Sequence, residues 1–96
     1  MRKSNTQPLK SAIEAYLKAL KIDKKLKEVG LLKQWEDLMG TSIASATRNI
    51  FIRDGVLYVY LNSAIVRNEL HYVRETIVRS MNKRAGENLI KEIVLK

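Results

Sequence analysis

One Asp-Gly pair, Asp54 and Gly55, constrains the fold of this chain more than any other feature. It lies between two runs of aliphatic, β-branched and aromatic residues, 49–53 and 56–61. A two-residue loop of this composition favours a type I′ turn, because both central residues of that turn need a positive φ. The pattern therefore predicts a β-hairpin whose register is set by the turn.

The predicted register gives the hairpin two unlike faces, since opposite residues share a face and faces alternate along a strand. The expected pairs are Arg53–Val56, Ile52–Leu57, Phe51–Tyr58, Ile50–Val59 and Asn49–Tyr60. One face is then aliphatic, consisting of Ile50, Ile52, Leu57, Val59 and Leu61. The other face is aromatic with a polar edge. A lone hairpin is not stable in water, so the rest of the chain must cover the aliphatic face.

Helical patterns precede the hairpin. The first is an amphipathic helix with Pro8 in its first turn, a position that tolerates the missing N–H. Its apolar face carries Leu9, Ile13, Tyr16, Leu17 and Leu20. A second pattern begins near Ile22, with Asp23 as a possible cap, and Gly40 is its expected end. Gly30 either ends one helix or lies inside a bent one.

The pattern after the hairpin predicts one long helix and one strand. Asn62 or Ser63 can cap the helix, which should end near Arg84 with Gly86 as the cap residue. Residues 89–95 are rich in β-formers and predict a third strand, which must pair with the hairpin to satisfy its backbone. The order is α-α-β-β-α-β, an α+β fold with helices packed on one face of a three-stranded sheet. Residues 8–96 form a single domain after a mobile N-terminal segment, residues 1–7.

The charge balance points to a polyanionic partner. The chain has 18 Lys and Arg against 10 Asp and Glu, a net charge of +8, and small basic domains often bind nucleic acids through phosphate neutralisation. The candidate nucleic-acid contacts are Lys10, Lys18, Lys21, Lys24, Lys25, Arg48, Arg53, Arg67 and Arg74. Arg67, His71 and Arg74 are expected one turn apart on one flank of the long helix. The alternative is that the charge serves only solubility.

Aromatic side chains are the candidates for a partner surface. Phe51, Tyr58 and Tyr60 share a face of the hairpin, where they can stack bases, contact a protein, or be covered by the first helix or a second copy. Trp35 is in phase with the apolar residues of its helix, so it is either a core anchor or a partner-facing residue.

Catalytic and cofactor signals are poor. The chain has no Cys, hence no disulfide and no thiolate metal site. The one His, His71, has no neighbouring carboxylate motif, and no phosphate-loop, dinucleotide, zinc-protease or nucleophile-elbow motif occurs. We therefore expect no enzyme, no catalytic residue, no metal and no cofactor. No signal peptide or membrane span is recognisable, so we expect no membrane partner and a cytoplasmic location.

A set of residues in order along the chain resembles the DciA-type domain, the bacterial replicative-helicase loader family, formerly catalogued as a domain of unknown function. The set comprises Trp35, Gly40, the Ile43-Ala44 pair, Thr47, the segment 54–57, Val59, Ser63, the Glu69-Leu70 pair, the Met81-Asn82 pair, Gly86, Ile90 and Ile93. The resemblance implies a KH-like fold. It also implies that the protein binds DNA and the replicative DNA helicase and assists helicase loading in DNA replication.

The chain resembles a compact variant of that family. Ala46, Asn49 and Val66 stand where the family often has a His, a Pro and an aromatic residue. The chain has no GxxG segment, so the KH backbone clamp on single strands is missing and nucleic-acid contacts must use side chains. An RNA-binding KH-like module and a pure protein-interaction domain are the alternatives. The sequence leaves open the DNA or RNA preference, the choice of single or double strands, and the oligomeric state.

Overall fold

The computed structural model describes residues 3–96, with side chains from residue 8 onward. The elements in chain order are α1 (Lys3–Leu32), α2 (Trp35–Met39), α3 (Thr41–Ala46), β1 (Thr47–Arg53), β2 (Val56–Leu61), α4 (Ala64–Tyr72), α5 (Arg74–Ala85) and β3 (Glu92–Leu95). The α+β class and the three-stranded sheet are as predicted. The predicted mobile segment 1–7 lies partly outside the described residues, and α1 begins at Lys3.

The hairpin has the predicted turn and register. Asp54 and Gly55 have φ values of 51° and 79°, as a type I′ turn requires. The Cα partners across β1 and β2 are Asn49–Tyr60, Ile50–Val59, Phe51–Tyr58, Ile52–Leu57 and Arg53–Val56. The register shifts between Thr47 and Asn49, which leaves Arg48 at an irregular position of β1. Turn chemistry alone therefore fixed the pairing of the first two strands.

β3 completes the sheet by pairing with β2 in parallel, so the strand order is β1-β2-β3. Leu57 lies beside Ile93 in this register. The backbone is held at both ends of the strand, because the Lys91 N–H donates to the Gly55 carbonyl at 2.7 Å and the Lys96 N–H to the Val59 carbonyl at 2.9 Å. The result is a mixed sheet with β2 in the centre.

The aliphatic face of the sheet is the core face. Leu57 and Val59 are fully buried, and Ile52, Leu61 and Ile93 are nearly so. The helices contribute the buried side chains Leu31, Trp35, Leu70, Ile77 and Met81 to the same cluster. The prediction that the chain covers this face with helices is confirmed.

The predicted long helix after the hairpin is in fact two helices. Val73 has non-helical angles (φ −114°, ψ 21°), and its N–H donates to the Leu70 carbonyl three residues back, at 3.1 Å. The Arg74 Nε donates to the freed His71 carbonyl at 2.9 Å, which stabilises the break. The predicted ends are correct: the Ser63 hydroxyl accepts from the Val66 N–H, and Gly86 is the left-handed cap residue.

The two helical patterns before residue 33 are one helix of 30 residues. The predicted cap at Asp23 is wrong, because the helix continues through it, and Gly30 lies inside α1 rather than at its end. Only the last turns of α1 pack on the domain; residues 8–27 are exposed throughout. The chain is consequently elongated, with extents of 67 × 22 × 19 Å. Among the described residues, no helix has both the length and the apolarity that crossing a membrane requires.

Candidate nucleic-acid interface

Most of the lysines of α1 lie on one face of the helix. Lys10, Lys18, Lys21 and Lys25 recur at spacings that keep them within about 80° of one another around the axis. All are exposed. Glu14 interrupts the row. This lysine face extends roughly 23 Å along the helix, at 1.5 Å per residue, and it leads toward the hairpin.

The lysine face ends in a shallow groove between α1 and the turn of the hairpin. The groove has a volume of about 290 Å³ and is lined by Lys21, Lys24, Lys25, Glu28, Ile52, Arg53 and Asp54. Arg53 reaches it because it is the last residue of β1, directly before the turn. We call this the hairpin-tip groove. Four of the predicted nucleic-acid contacts come together here, beside two carboxylates.

The cations of the hairpin-tip groove form no ion pair within the described part of the chain. The ion pairs of residues 8–96 involve Lys27 and Arg84, and none involves a cation of the groove. Lys27 lies next to Glu87, at 2.7 Å, and to Asp23, at 3.5 Å. Its hydrogen bond and ion pair with Glu87 raise the pKa of Lys27 above its usual 10.5. Lys27 therefore anchors α1 to the domain, whereas the groove cations face solvent.

A second group of cations surrounds a cavity of about 450 Å³ between α5 and β3. Arg74, Arg79 and Lys91 line it, together with Glu75 and Glu92. Arg74 is a predicted contact, but the sequence reasoning missed Arg79 and Lys91. Their spacing along the chain does not predict that they lie near Arg74, because only the packing of β3 beside α5 brings these residues together. With two carboxylates against three cations, this cavity is less basic than the hairpin-tip groove.

The remaining predicted cations are dispersed. Arg48 is exposed at the irregular start of β1, and Arg67 is half-buried in α4. His71 and Arg74 line one small cavity, but Arg67 does not line it. Arg67 and His71 are four residues apart in α4, as expected, but the chain leaves the helical path at Val73, so Arg74 belongs to α5.

Three aromatic rings lie together on the sheet face opposite the core. The Phe51 ring centroid is 4.9 Å from that of Tyr58 and 6.0 Å from that of Tyr60. The Arg53 guanidinium carbon is 5.6 Å from the Phe51 centroid, within cation–π range. The rings are half-buried. We call Phe51, Tyr58 and Tyr60 the aromatic surface, and Arg53 connects it to the hairpin-tip groove.

Trp35 is in the core rather than on a surface. It is only 4% exposed, and its indole Nε1–H donates to the Thr47 hydroxyl at 3.0 Å. That hydroxyl donates in turn to the Ile43 carbonyl at 2.7 Å. This relay connects α2, α3 and β1. Because the ring is not presented to solvent, we leave Trp35 out of the partner surface.

Charged side chains are the main feature of the described cavities. Within the described residues, no group of three or more His, Cys, Asp or Glu side chains is arranged to hold a metal ion. These three cavities are open to the surface, and each is lined by both cations and carboxylates together with a few uncharged side chains. A ligand would meet the row of cations along α1, which ends beside the aromatic surface.

Comparison with models of known protein families gives a match over most of the chain. The model of the family described as "Dna[CI] antecedent, DciA" matches residues 8–95, nearly the whole chain. No curated protein and no solved structure matches the chain. The match begins in α1 and ends in β3, so it includes the lysine face, the hairpin and the aromatic surface.

Proposed function

The chain belongs to the DciA family, and from that premise we propose that it is a non-catalytic adaptor that binds DNA and the replicative helicase. Membership supports a helicase-loader role in DNA replication. The proposed place of work is the bacterial cytoplasm, and the fold is proposed to be KH-like. The remaining question is which surface binds which partner.

The proposed DNA binding, which we call the DNA half of the proposal, rests on the group of cations at the hairpin tip. Lys21, Lys24 and Lys25 meet Arg53 there, and the lysine face of α1 extends the row away from the domain. Solvent-facing cations can displace the counterions of a phosphate backbone, which is the main source of sequence-independent affinity. No backbone clamp is needed, since long side chains supply the contacts. DNA is proposed to lie along α1 and reach the domain at the hairpin tip.

The aromatic surface supports the helicase half of the proposal. Aromatic residues are enriched in the energetically important centres of protein interfaces. Phe51, Tyr58 and Tyr60 form such a cluster on the sheet face turned away from the core. The two partners would then occupy neighbouring surfaces that meet at Arg53, which suits an adaptor that brings a helicase to DNA.

The DNA half is tested by fluorescence anisotropy with single- and double-stranded oligonucleotides over a range of salt concentrations. We expect binding at low salt that weakens steeply as salt rises. A variant with Lys21, Lys24 and Lys25 all changed to Ala should have a slope of log affinity against log salt smaller by roughly 2 to 3, about one phosphate per lysine.

A matched variant controls for net charge. Lys33, Lys83 and Lys96 are also exposed, but they lie outside the hairpin-tip groove. Changing these three to Ala removes the same charge and should leave the slope nearly unchanged. Equal slopes for the two triple variants would contradict the proposed DNA site, and absence of binding at low salt would reject the DNA half altogether.

The helicase half is tested by a pull-down from nuclease-treated cell extract. The wild-type chain should retain the replicative helicase, and a Tyr58→Ala/Tyr60→Ala variant should retain much less. The lysine triple variant serves as the control here, because its aromatic surface is intact. If the tyrosine variant retains as much helicase as the wild type, the helicase binds to a surface other than the aromatic surface.

RNA binding is the second candidate function. The Phe51 and Tyr58 rings lie side by side on the sheet face opposite the core, with centroids 4.9 Å apart, and single-stranded RNA is often bound by stacking on sheet aromatics. A parallel titration with RNA and DNA oligonucleotides of the same sequence separates the two. A strong preference for RNA would favour this candidate over the DNA adaptor.

A further inference from the structure

Glu28 is the one charged residue that is buried in the described part of the chain, and it is 8% exposed. A carboxylate is rarely buried to this extent unless it has a partner. None of the ion pairs and side-chain hydrogen bonds of residues 8–96 involves Glu28. Its carboxylate is therefore a hydrogen-bond acceptor that the fold holds in place but leaves free.

The Glu28 carboxylate meets solvent at the hairpin-tip groove. Glu28 is one of the residues that line this groove. Among the described residues, no side-chain oxygen is both sealed from solvent and without a hydrogen-bond partner. Because Glu28 has no such partner, its carboxylate must be open to solvent, and the groove is the opening that it lines.

Glu28 also lies at the domain end of the lysine face of α1. Lys24 and Lys25 precede it by four and three residues, which are the spacings at which ion pairs form along a helix. Neither lysine is paired with it, and neither is Arg53 on the opposite side of the groove. The groove thus presents four cations together with a carboxylate that pairs with none of them.

The charges of the groove define the kind of ligand that suits it. The lysines and Arg53 donate hydrogen bonds and attract an anion, whereas the Glu28 carboxylate accepts hydrogen bonds. A bare phosphate would leave Glu28 without a donor, and a purely cationic ligand would be repelled by the four cations. A nucleotide within a strand meets both requirements, because its phosphates are anionic and some bases carry an amino group.

A fixed carboxylate can discriminate between bases by their donors and acceptors. Cytosine N4 and adenine N6 are amino groups that donate, whereas thymine carries the acceptor oxygen O4. That oxygen would be repelled by the Glu28 carboxylate and would leave it unpaired, which is costly for a buried group. Asp54, the other carboxylate of the groove, is exposed in the turn and can stay hydrated. The discrimination is therefore expected from Glu28.

We propose that Glu28 contacts a base in the hairpin-tip groove and accepts a hydrogen bond from the amino group of cytosine or adenine. The lysines of the groove and Arg53 hold the neighbouring phosphates. This role of Glu28 rests on the proposed DNA binding. It adds a base preference to a site whose phosphate contacts position the strand without specifying its sequence.

Fluorescence anisotropy with two single-stranded oligonucleotides of equal length, oligo(dC) and oligo(dU), tests the base preference at low salt and neutral pH. Cytosine and uracil have rings of the same size, and they differ in the amino group or oxygen at position 4 and in the proton on N3. Phosphate contacts are therefore matched. The wild-type chain should bind oligo(dC) about 5- to 100-fold more tightly than oligo(dU).

Two variants assign the preference to one carboxylate. Glu28→Gln should bring the two affinities close together, because an amide can donate to uracil as well as accept from cytosine. Asp54→Asn is the matched control, since it removes the same charge from the same groove and Asn-Gly also suits a type I′ turn. It should tighten the binding of both oligonucleotides and keep the wild-type ratio of the two affinities.

Failure of the base preference can be distinguished from failure of DNA binding. Equal affinities of the wild-type chain for the two oligonucleotides would overturn the role of Glu28 and leave the DNA half of the proposal intact. Absence of binding to both would reject the two together. A wild-type ratio in Glu28→Gln, or its loss in Asp54→Asn, would also overturn the role of Glu28. Circular dichroism and the fluorescence of buried Trp35 check that both variants are folded.

Discussion

The two ends of α1 share one amphipathic pattern but have different surroundings. In the last turns, Leu31 is 2% exposed and Lys27 is held by Glu87 of the domain. Three turns earlier, Leu20 lies on nearly the same side of the helix and is 46% exposed. An apolar stripe thus predicts a helix that packs on another surface, but it does not say whether that surface belongs to the same chain.

Truncation of the two leucines should separate the two ends of α1 most clearly. Leu31→Ala should lower the free energy of unfolding by about 2 to 5 kcal/mol, because it leaves a cavity in the core. Leu20→Ala should change it by less than about 0.5 kcal/mol, as for other surface changes. Urea unfolding followed by Trp35 fluorescence measures both, at a dilute protein concentration that excludes self-association. Similar losses for the two variants would mean that Leu20 also packs on the domain.

A smaller loss is expected from Asn82, which holds the segment between α5 and β3. Its side-chain amide donates to the Ile90 carbonyl and accepts from the Ile90 N–H, both at 2.8 Å. Asn82→Ala leaves both backbone groups without these partners and should cost about 1 to 3 kcal/mol. Asn68→Ala, at an exposed position of α4, is the matched control and should be nearly neutral. Urea midpoints compare the two, and a neutral Asn82→Ala would show that water replaces the side chain.

Gly30, near the end of α1 that packs on the domain, is a position where a substitution should stabilise the protein modestly. It lies inside the helix, and a Cβ added there would meet no atom within 4 Å. Gly30→Ala should therefore raise the free energy of unfolding by about 0.5 to 1 kcal/mol through helix propensity. Chemical denaturation measures this gain. A loss instead would indicate that α1 bends at this position in solution.

The smallest effect should come from the ion pair between Lys27 and Glu87, because both side chains are about half exposed. Glu87 raises the pKa of Lys27 above 10.5 in the folded chain. A raised pKa stabilises the folded state below the unfolded pKa, and this stabilisation is lost as the pH rises through the folded pKa. The wild type should be slightly more stable than Glu87→Gln at neutral pH, and the difference should shrink as the pH rises beyond 10.5 and through the raised pKa of Lys27. A difference that persists in strong alkali would have to come from packing.

The hairpin was predictable from sequence because its determinants are local. Asp54 and Gly55 set the turn, and the turn set each strand pair that was expected. The aliphatic face followed from alternation alone. The position of β3 was not predictable in the same way, because β-forming composition says that a strand exists but not on which side of the hairpin it pairs.

The ends of helices were harder to predict where the sequence has no residue that strongly terminates a helix. Gly30 disfavours a helix by only about 1 kcal/mol, which packing of Leu31 on the core outweighs. Val73 is an ordinary helix residue by composition, yet the chain departs from the helix there. The two groups of cations form only through tertiary packing. Arg53 lines a groove with lysines of α1, and Lys91 lines a cavity with Arg74. Neither association could be predicted from the spacing of these residues along the chain.

The parallel pairing of β3 with β2 has a consequence for the order in which the chain folds. The hairpin closes a two-residue loop, whereas Val56 and Glu92, which are neighbours in the sheet, are joined through α4 and α5. Closing the longer loop costs more chain entropy, so contacts of high sequence separation form late. We expect the hairpin to be structured in the folding transition state and β3 to dock after it. Substitutions in β3 should accordingly speed unfolding more than they slow folding.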